Sequence, residues 1–171
     1  MNVEQILAKL VSFPVLGGES NLSILSWIES YLTELGITSF RVYNEEGNKS
    51  SLHCRIGPAV DGGIILSGHT DVVPVAGQNW DTDPFVLTEI GDKLYGRGSC
   101  DMKAFLACIM TAAPMMVNAH LKKPIYFAFS YDEEIGCLGA PDLIEAIASH
   151  YDEKPAYAWI GERYMLIPIV G

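Results

Sequence analysis

Apolar side chains recur at helical spacing over residues 3–11 and 21–35, which predicts two amphipathic helices at the start of the chain. Ser20 or Asn21 stands where it can cap the second helix, and Gly36 where it can end it. The pattern then shifts to short β-rich runs, "SFRVY", "SLHCRIG" and "GIILSG". The last is nearly all apolar, as expected of a strand covered on both faces.

From Thr70 to Gly98 the chain is rich in Gly, Pro, Asp and Trp, a loop region broken by a hairpin, "FVLTEIGDKLYG", that turns near Gly91 and Asp92. "MKAFLACIMTAAPMMV" reads as a helix, with Asp101 placed to cap its first turn and Pro114 to bend or end it. A buried strand ending in acids follows in "KPIYFAFSYDEE", then a helix, "APDLIEAIASH", and a further strand ending in an acid, "PAYAWIGE". Strands alternating with helices predict an α/β fold with a mostly parallel sheet flanked by helices. No repeat, low-complexity tract or linker interrupts residues 1–171, so one domain is expected.

Composition agrees with that picture. A chain of 171 residues can remove roughly 70% of its unfolded surface from water. Its 49% hydrophobic and 19% charged residues are those of an ordinary globular protein. The 11 basic and 21 acidic residues give a net charge of -10, which repels phosphate backbones and anionic membranes and argues against a nucleic-acid or membrane partner. Cys54, Cys100, Cys108 and Cys137 form no C-x-x-C pair and read as reduced thiols. "MNVEQILAKLVSF" has no basic leader or cleavage site, and no apolar run approaches the about 18 residues of a membrane span, so a cytoplasmic location is expected.

The chemistry gathers at strand ends. Three predicted strands finish in His69 and Asp71, in Asp132 to Glu134, and in Gly161 and Glu162, while Asp101 sits at a loop-to-helix junction. In open α/β sheets that carboxyl edge is where ligands bind. Imidazole and carboxylate are the ligands zinc takes when no thiolate is offered, and carboxylates can bridge a pair of metals used for hydrolysis. Glu133 and Glu134 suggest a division of labour, one ligating metal and the other moving a proton. Asp71, two residues beyond His69, can accept the other ring N–H of His69 and fix its tautomer. His53 falls within a predicted strand, and His120 and His150 near helix ends, where solvent or the helix dipole accounts for them. Asn79, Trp80 and Arg97 lie in loops that can shape a cleft or simply pack.

"SGHTDVVP", "GQNWDTDPF", "LYGRGSCDMK", "YDEEIGCLGA" and "IGE" occur in the order seen in the dinuclear zinc aminoacylase and exopeptidase family. That family includes acetylornithine deacetylase, succinyl-diaminopimelate desuccinylase and carboxypeptidase G, and the chain resembles it from near the first helix to the last residue. The wording of "GQNWDTDPFVLTE" and "GRGSCDMK" looks most like the acetylornithine deacetylase branch. The resemblance implies a zinc-peptidase-like catalytic domain in which His69 ligates one zinc, Asp101 bridges both, Glu134 ligates the other and Glu162 joins His69. It makes Glu133 the general base, Asp71 the carboxylate that orients His69, and zinc, or cobalt in its place, the cofactor. The implied substrate is a small N-acyl amino acid such as N-acetyl-ornithine, cleaved to ornithine and acetate in arginine biosynthesis.

Ala104 stands where family members usually have Gly, and Arg163, a permanent cation beside Glu162, where they usually have Pro. Family members are also longer, with an inserted domain for dimerisation and closure and a final histidine ligand. The expectation is therefore a C-terminally truncated catalytic domain that holds about one zinc through His69, Asp101 and Glu162 and hydrolyses little alone, the homodimer belonging to the longer parent. Two alternatives stand beside it: a sibling desuccinylase or dipeptidase, and a non-catalytic metal-binding or structural domain.

Overall fold

The computed structural model describes residues 1–161. Helix α1 (Val3–Val11) starts from a reciprocal cap, in which Gln5 N–H donates to Asn2 Oδ1 and Asn2 N–H to Gln5 Oε1, both at 2.9 Å. It buries Ile6, Leu7, Leu10 and Val11 on one stripe. Helix α2 (Leu22–Glu34) does the same with Ile24, Leu25, Ile28 and Leu32, and ends at Gly36, whose φ of 73° a side chain resists. Asn21 precedes α2 without capping it: its side chain instead accepts from Ser50 N–H and donates to Ser50 O and Thr70 Oγ1.

Strands β1 (Ser39–Tyr43), β2 (Ser50–Ile56) and β3 (Ile64–His69) follow, then the separate hairpin β4 (Thr88–Ile90) and β5 (Lys93–Tyr95), turning at Gly91. Helix α3 (Lys103–Asn118) runs on through Pro114. It begins without the expected Asp101 cap, since residue Met102 holds the cap position and Lys103 N–H donates to Gly98 O. Strand β6 (Ile125–Ser130), helix α4 (Ala140–His150) and strand β7 (Tyr157–Ile160) complete the described chain. No helix among the described residues is long and apolar enough to cross a membrane.

The main sheet has the order β1-β2-β6-β3-β7. Strands β6, β3 and β7 are parallel and only β2 runs against the others, so the α/β fold with a mostly parallel sheet is the observed one. Alternation along β6 divides the core: Phe127 and Phe129 join the large apolar cluster with α1, α2 and α3, while Tyr126 and Ala128 join a smaller one with Leu143, Ile147 and Tyr151 of the α4 side. The coverage of β3 is less complete than its apolar run predicts, because Ile64 and Ile65 are only half-buried. Strand β7, at the edge of the sheet among the described residues, exposes all four of its residues.

Register then sets the site. His69 pairs with Ser130 at the ends of β3 and β6, and Gly161 N–H donates to Ser67 O (3.1 Å) at the end of β7. Parallel strands β3 and β6 therefore deliver their polar endings to one sheet edge, where β7 also ends, just before Gly161.

Candidate metal centre

His69 is the last residue of β3 and only 1% exposed. Its ring Nδ1 lies 2.8 Å from the carbonyl oxygen of Asp71. A carbonyl can only accept, so Nδ1 carries a proton, and Nε2 faces the acids. Nε2 stands 3.3 Å from Asp101 Oδ1 and 3.8 Å from Glu133 Oε2. The Asp71 carboxylate lies 3.5 Å from Nδ1, with its oxygens turned to the next strand end: Oδ1 accepts from Glu133 N–H and Oδ2 from Glu134 N–H, both at 3.1 Å. Asp71 thus touches His69 through its backbone and the Glu133–Glu134 segment through its side chain.

Ligand atoms of His69, Asp101 and Glu134 all lie within 4.8 Å of one another. Donors about 2.0–2.1 Å from a tetrahedral zinc are about 3.4 Å apart, and the His69 Nε2 to Asp101 Oδ1 distance is 3.3 Å. One nitrogen and two carboxylate oxygens are also the donor types zinc prefers here, so the residues fit the ion.

The electrostatics point the same way. Burial alone pushes the His69 imidazole down, but the adjoining Asp71 carboxylate, the Glu133 charge and the Asp101 contact reverse it and raise its pKa to about 9. Burial likewise favours a higher Asp71 pKa, yet His69 and the amides of Glu133 and Glu134 hold it below the usual carboxylate value. Glu134 is pushed up by burial and by Asp101, Glu133 and Asp71, against the opposing pull of His69. One imidazolium among four carboxylates leaves surplus negative charge, which a divalent cation relieves.

A hollow of about 250 Å³ opens beside the trio, lined by Val73, Gly96 to Asp101 and Glu134. Arg97, one of its walls, lies over the Trp80 ring at 5.2 Å and bonds Gln78. Asn79 is exposed. A larger hollow of about 560 Å³, beside Phe40, Arg55, His150 and Tyr151, has no ligating cluster among the described residues, so size is the wrong guide here. His53 meets Tyr151 rather than the acids, and none of His53, His120 and His150 belongs to the trio. Glu162 and Arg163 lie outside the described residues.

Several supporting residues carried no local signal in the sequence. Gly17 packs against the acidic loop so closely that a Cβ there would come 2.9 Å from Ile135 Cγ2 and 3.6 Å from Glu134 Cβ. Lys103 is fully buried, donates to Phe13 O (2.8 Å), and burial lowers its pKa to about 8 against the raising influence of Asp71. Asp132 accepts from Gly18 N–H at 2.8 Å and pairs with Lys49. The Asp101–Met102 peptide is cis.

Comparisons with known proteins identify the family and the fold. The sequence pattern of Peptidase family M20/M25/M40 matches residues 65–167. Acetylornithine deacetylase of Salmonella arizonae is 38% identical over 153 residues, 88% of this chain and 38% of that protein. The acetylornithine deacetylase of Aliivibrio salmonicida is 35% identical over 90% of this chain and 39% of its own length. The chain therefore spans under two-fifths of the curated relatives it matches. Human carnosine dipeptidase 1 superposes over 95% of this chain and 38% of its own, with a TM-score of 0.81 at 23% identity. An M20 family metallo-carboxypeptidase from Sulfolobus solfataricus does so over 96% and 38%, at 0.82 and 19%. At such identities these two establish the fold alone. The matched stretch, which contains His69, Asp71, Asp101, Glu133 and Glu134, makes this chain a member of peptidase family M20/M25/M40.

Proposed function

We propose that the chain is the metal-binding part of an amidohydrolase that removes the acyl group from a small N-acyl amino acid, with N-acetyl-ornithine the preferred substrate. The observation that carries this reading is the convergence of His69, Asp101 and Glu134 within 4.8 Å, with Glu133 at their side. The 38% identity to an acetylornithine deacetylase favours the acetyl substrate. Fold similarity to two dipeptidases, each at 23% identity, says nothing about substrate and does not favour a dipeptidase reading.

In this reading Glu134, which the resemblance assigns to a second zinc, joins His69 and Asp101 to hold zinc, or cobalt in its place, and Glu162 adds a further ligand. Bound zinc supplies a Lewis acid for the acyl carbonyl and for the attacking water. Glu133, whose Oε2 lies 3.8 Å from His69 Nε2, takes the proton of that water and returns it to the leaving amine. Asp71 keeps the proton of His69 on Nδ1 and fixes the backbone of both glutamates. A single catalytic domain over residues 1–171, a cytoplasmic location, a role in arginine biosynthesis and a homodimer of the longer protein belong to the same reading.

Metal content of protein purified without chelators, beside that of His69→Ala, tests the centre. The native chain is expected to hold zinc and the variant to lose it. Hydrolysis of acetyl-ornithine against succinyl-diaminopimelate tests the substrate. Turnover of the succinyl compound alone would replace a deacetylase by a desuccinylase, and a native chain that takes up no supplied zinc would remove the metal centre.

A further inference from the structure

We infer that Asp132, together with its partner Lys49, is a positioning residue that aims the Glu133–Glu134 pair at the metal centre. This inference rests on the metal reading for its purpose, though the contacts that carry it are independent of any ion.

Asp132 sits two residues beyond β6 with a φ of 53°, the left-handed region that most side chains avoid and Asp tolerates. That conformation breaks the alternation of the strand just before Glu133 and redirects the chain. Its carboxylate is 2% exposed, and both oxygens are occupied: Oδ1 accepts from Gly18 N–H at 2.8 Å and Oδ2 from Lys49 Nζ. Its own carbonyl accepts from Leu138 N–H at 3.1 Å, closing the loop that holds both glutamates.

Lys49 is anchored in turn. It ends the tight connection between β1 and β2, where its N–H donates to Asn44 Oδ1 (2.9 Å) and its carbonyl accepts from Asn44 N–H (3.1 Å). Its side chain is 13% exposed. Asp132 therefore ties three separate segments together: the Gly17–Gly18 loop, the β1–β2 turn and the acidic loop. From the other side Asp71 takes the amides of Glu133 and Glu134. The glutamate pair is held between these two carboxylates.

A stability role alone is the competing explanation, and the energetics of buried ion pairs speak against it. Such pairs recover little net stability because desolvation cancels most of the attraction, so geometry is the better reason for one here. Lys49 also balances the charge of Asp132, so the anchor adds little net negative charge to the acidic loop.

The test compares native protein with Asp132→Asn, Lys49→Met and Lys49→Arg. Zinc affinity is measured by competition with a chromophoric chelator, and amide hydrogen exchange is followed in the metal-free chain with thermal midpoints alongside. Asp132→Asn and Lys49→Met are expected to weaken zinc by about 10–100-fold, the usual effect of losing a partner outside the ligand shell, and Lys49→Arg to restore most of it. The Glu133 and Glu134 amides should exchange at least about tenfold faster while those of α1 and α2 do not change. A lower thermal midpoint with native zinc affinity and native exchange at Glu133 and Glu134 would overturn the proposal and leave a structural ion pair. Should Asp132→Asn fail to fold, Lys49→Met carries the comparison. A native chain that binds no zinc would sink the metal reading instead, and exchange at the two amides would then decide the positioning by itself.

Discussion

His53 and His69 flank the same strand, paired with Ala128 and Ser130 of β6 from its two sides, and both are almost wholly buried. Their protonation is opposite. His53 lies among aromatic rings, with Nδ1 3.0 Å from the Tyr151 hydroxyl and the Phe40 and His150 rings 5.4 and 5.3 Å from its own. Burial first, and then the His150 charge, lowers its pKa to about 4. Burial acts in the same direction on His69, but carboxylates overcome it and carry the value to about 9. Burial therefore fails to distinguish a packed histidine from a candidate ligand, and the charge that surrounds the ring succeeds. The sequence carries a trace of this: two residues after His53 comes Arg55, and two residues after His69 comes Asp71.

The comparison breaks if the two histidines contribute alike to metal binding. His69→Ala should cost more than the about 10–100-fold typical of an outer partner, whereas His53→Gln should leave zinc affinity at the native value. Equal losses would mean that the ion depends on the whole sheet rather than on the strand end. A smaller effect sharpens the point. Asp71→Asn keeps the backbone carbonyl that faces His69 Nδ1 but removes the adjacent charge and one of the acceptors for the glutamate amides. Zinc affinity is expected to fall about 10–100-fold, and native affinity in this variant would show that the backbone carbonyl suffices.

Much of this was legible locally, and the failures share a cause. Apolar periodicity is a property of one segment, so α1, α2, β3 and β6 could be read from it. The strand ends carrying His69, Asp71, Glu133 and Glu134 could be read as well, because parallel strands bring like ends to one edge. Asn21 and Asp101 read as helix caps only while distant partners are ignored. The first bonds Ser50 and Thr70, and the second faces His69 across 32 positions. Lys49 and Gly18 reach Asp132 over 83 and 114 positions, and no window along the chain contains both partners. The exposure of β7 depends on its place at the sheet edge among the described residues, and an apolar run is silent about sheet order.

Stability against pH separates the two histidines without any metal. The folded pKa of His53 lies below the unfolded 6.5, at about 4, so the unfolded chain binds more protons between these values. Its contribution is whole above pH 6.5 and is lost as pH falls through about 4. The folded pKa of His69 is raised to about 9, so its contribution is whole below 6.5 and is lost as pH rises through about 9. Each limb amounts to about 3 kcal/mol at most. Metal-free protein should accordingly be most stable near neutral to slightly acid pH, as measured by urea unfolding at a series of pH values. His53→Gln should flatten the acid limb and leave the alkaline one, and His69→Gln should do the reverse. If one variant flattened both limbs, the two rings would share a single electrostatic environment, and the distinction between packed histidine and candidate ligand would fail.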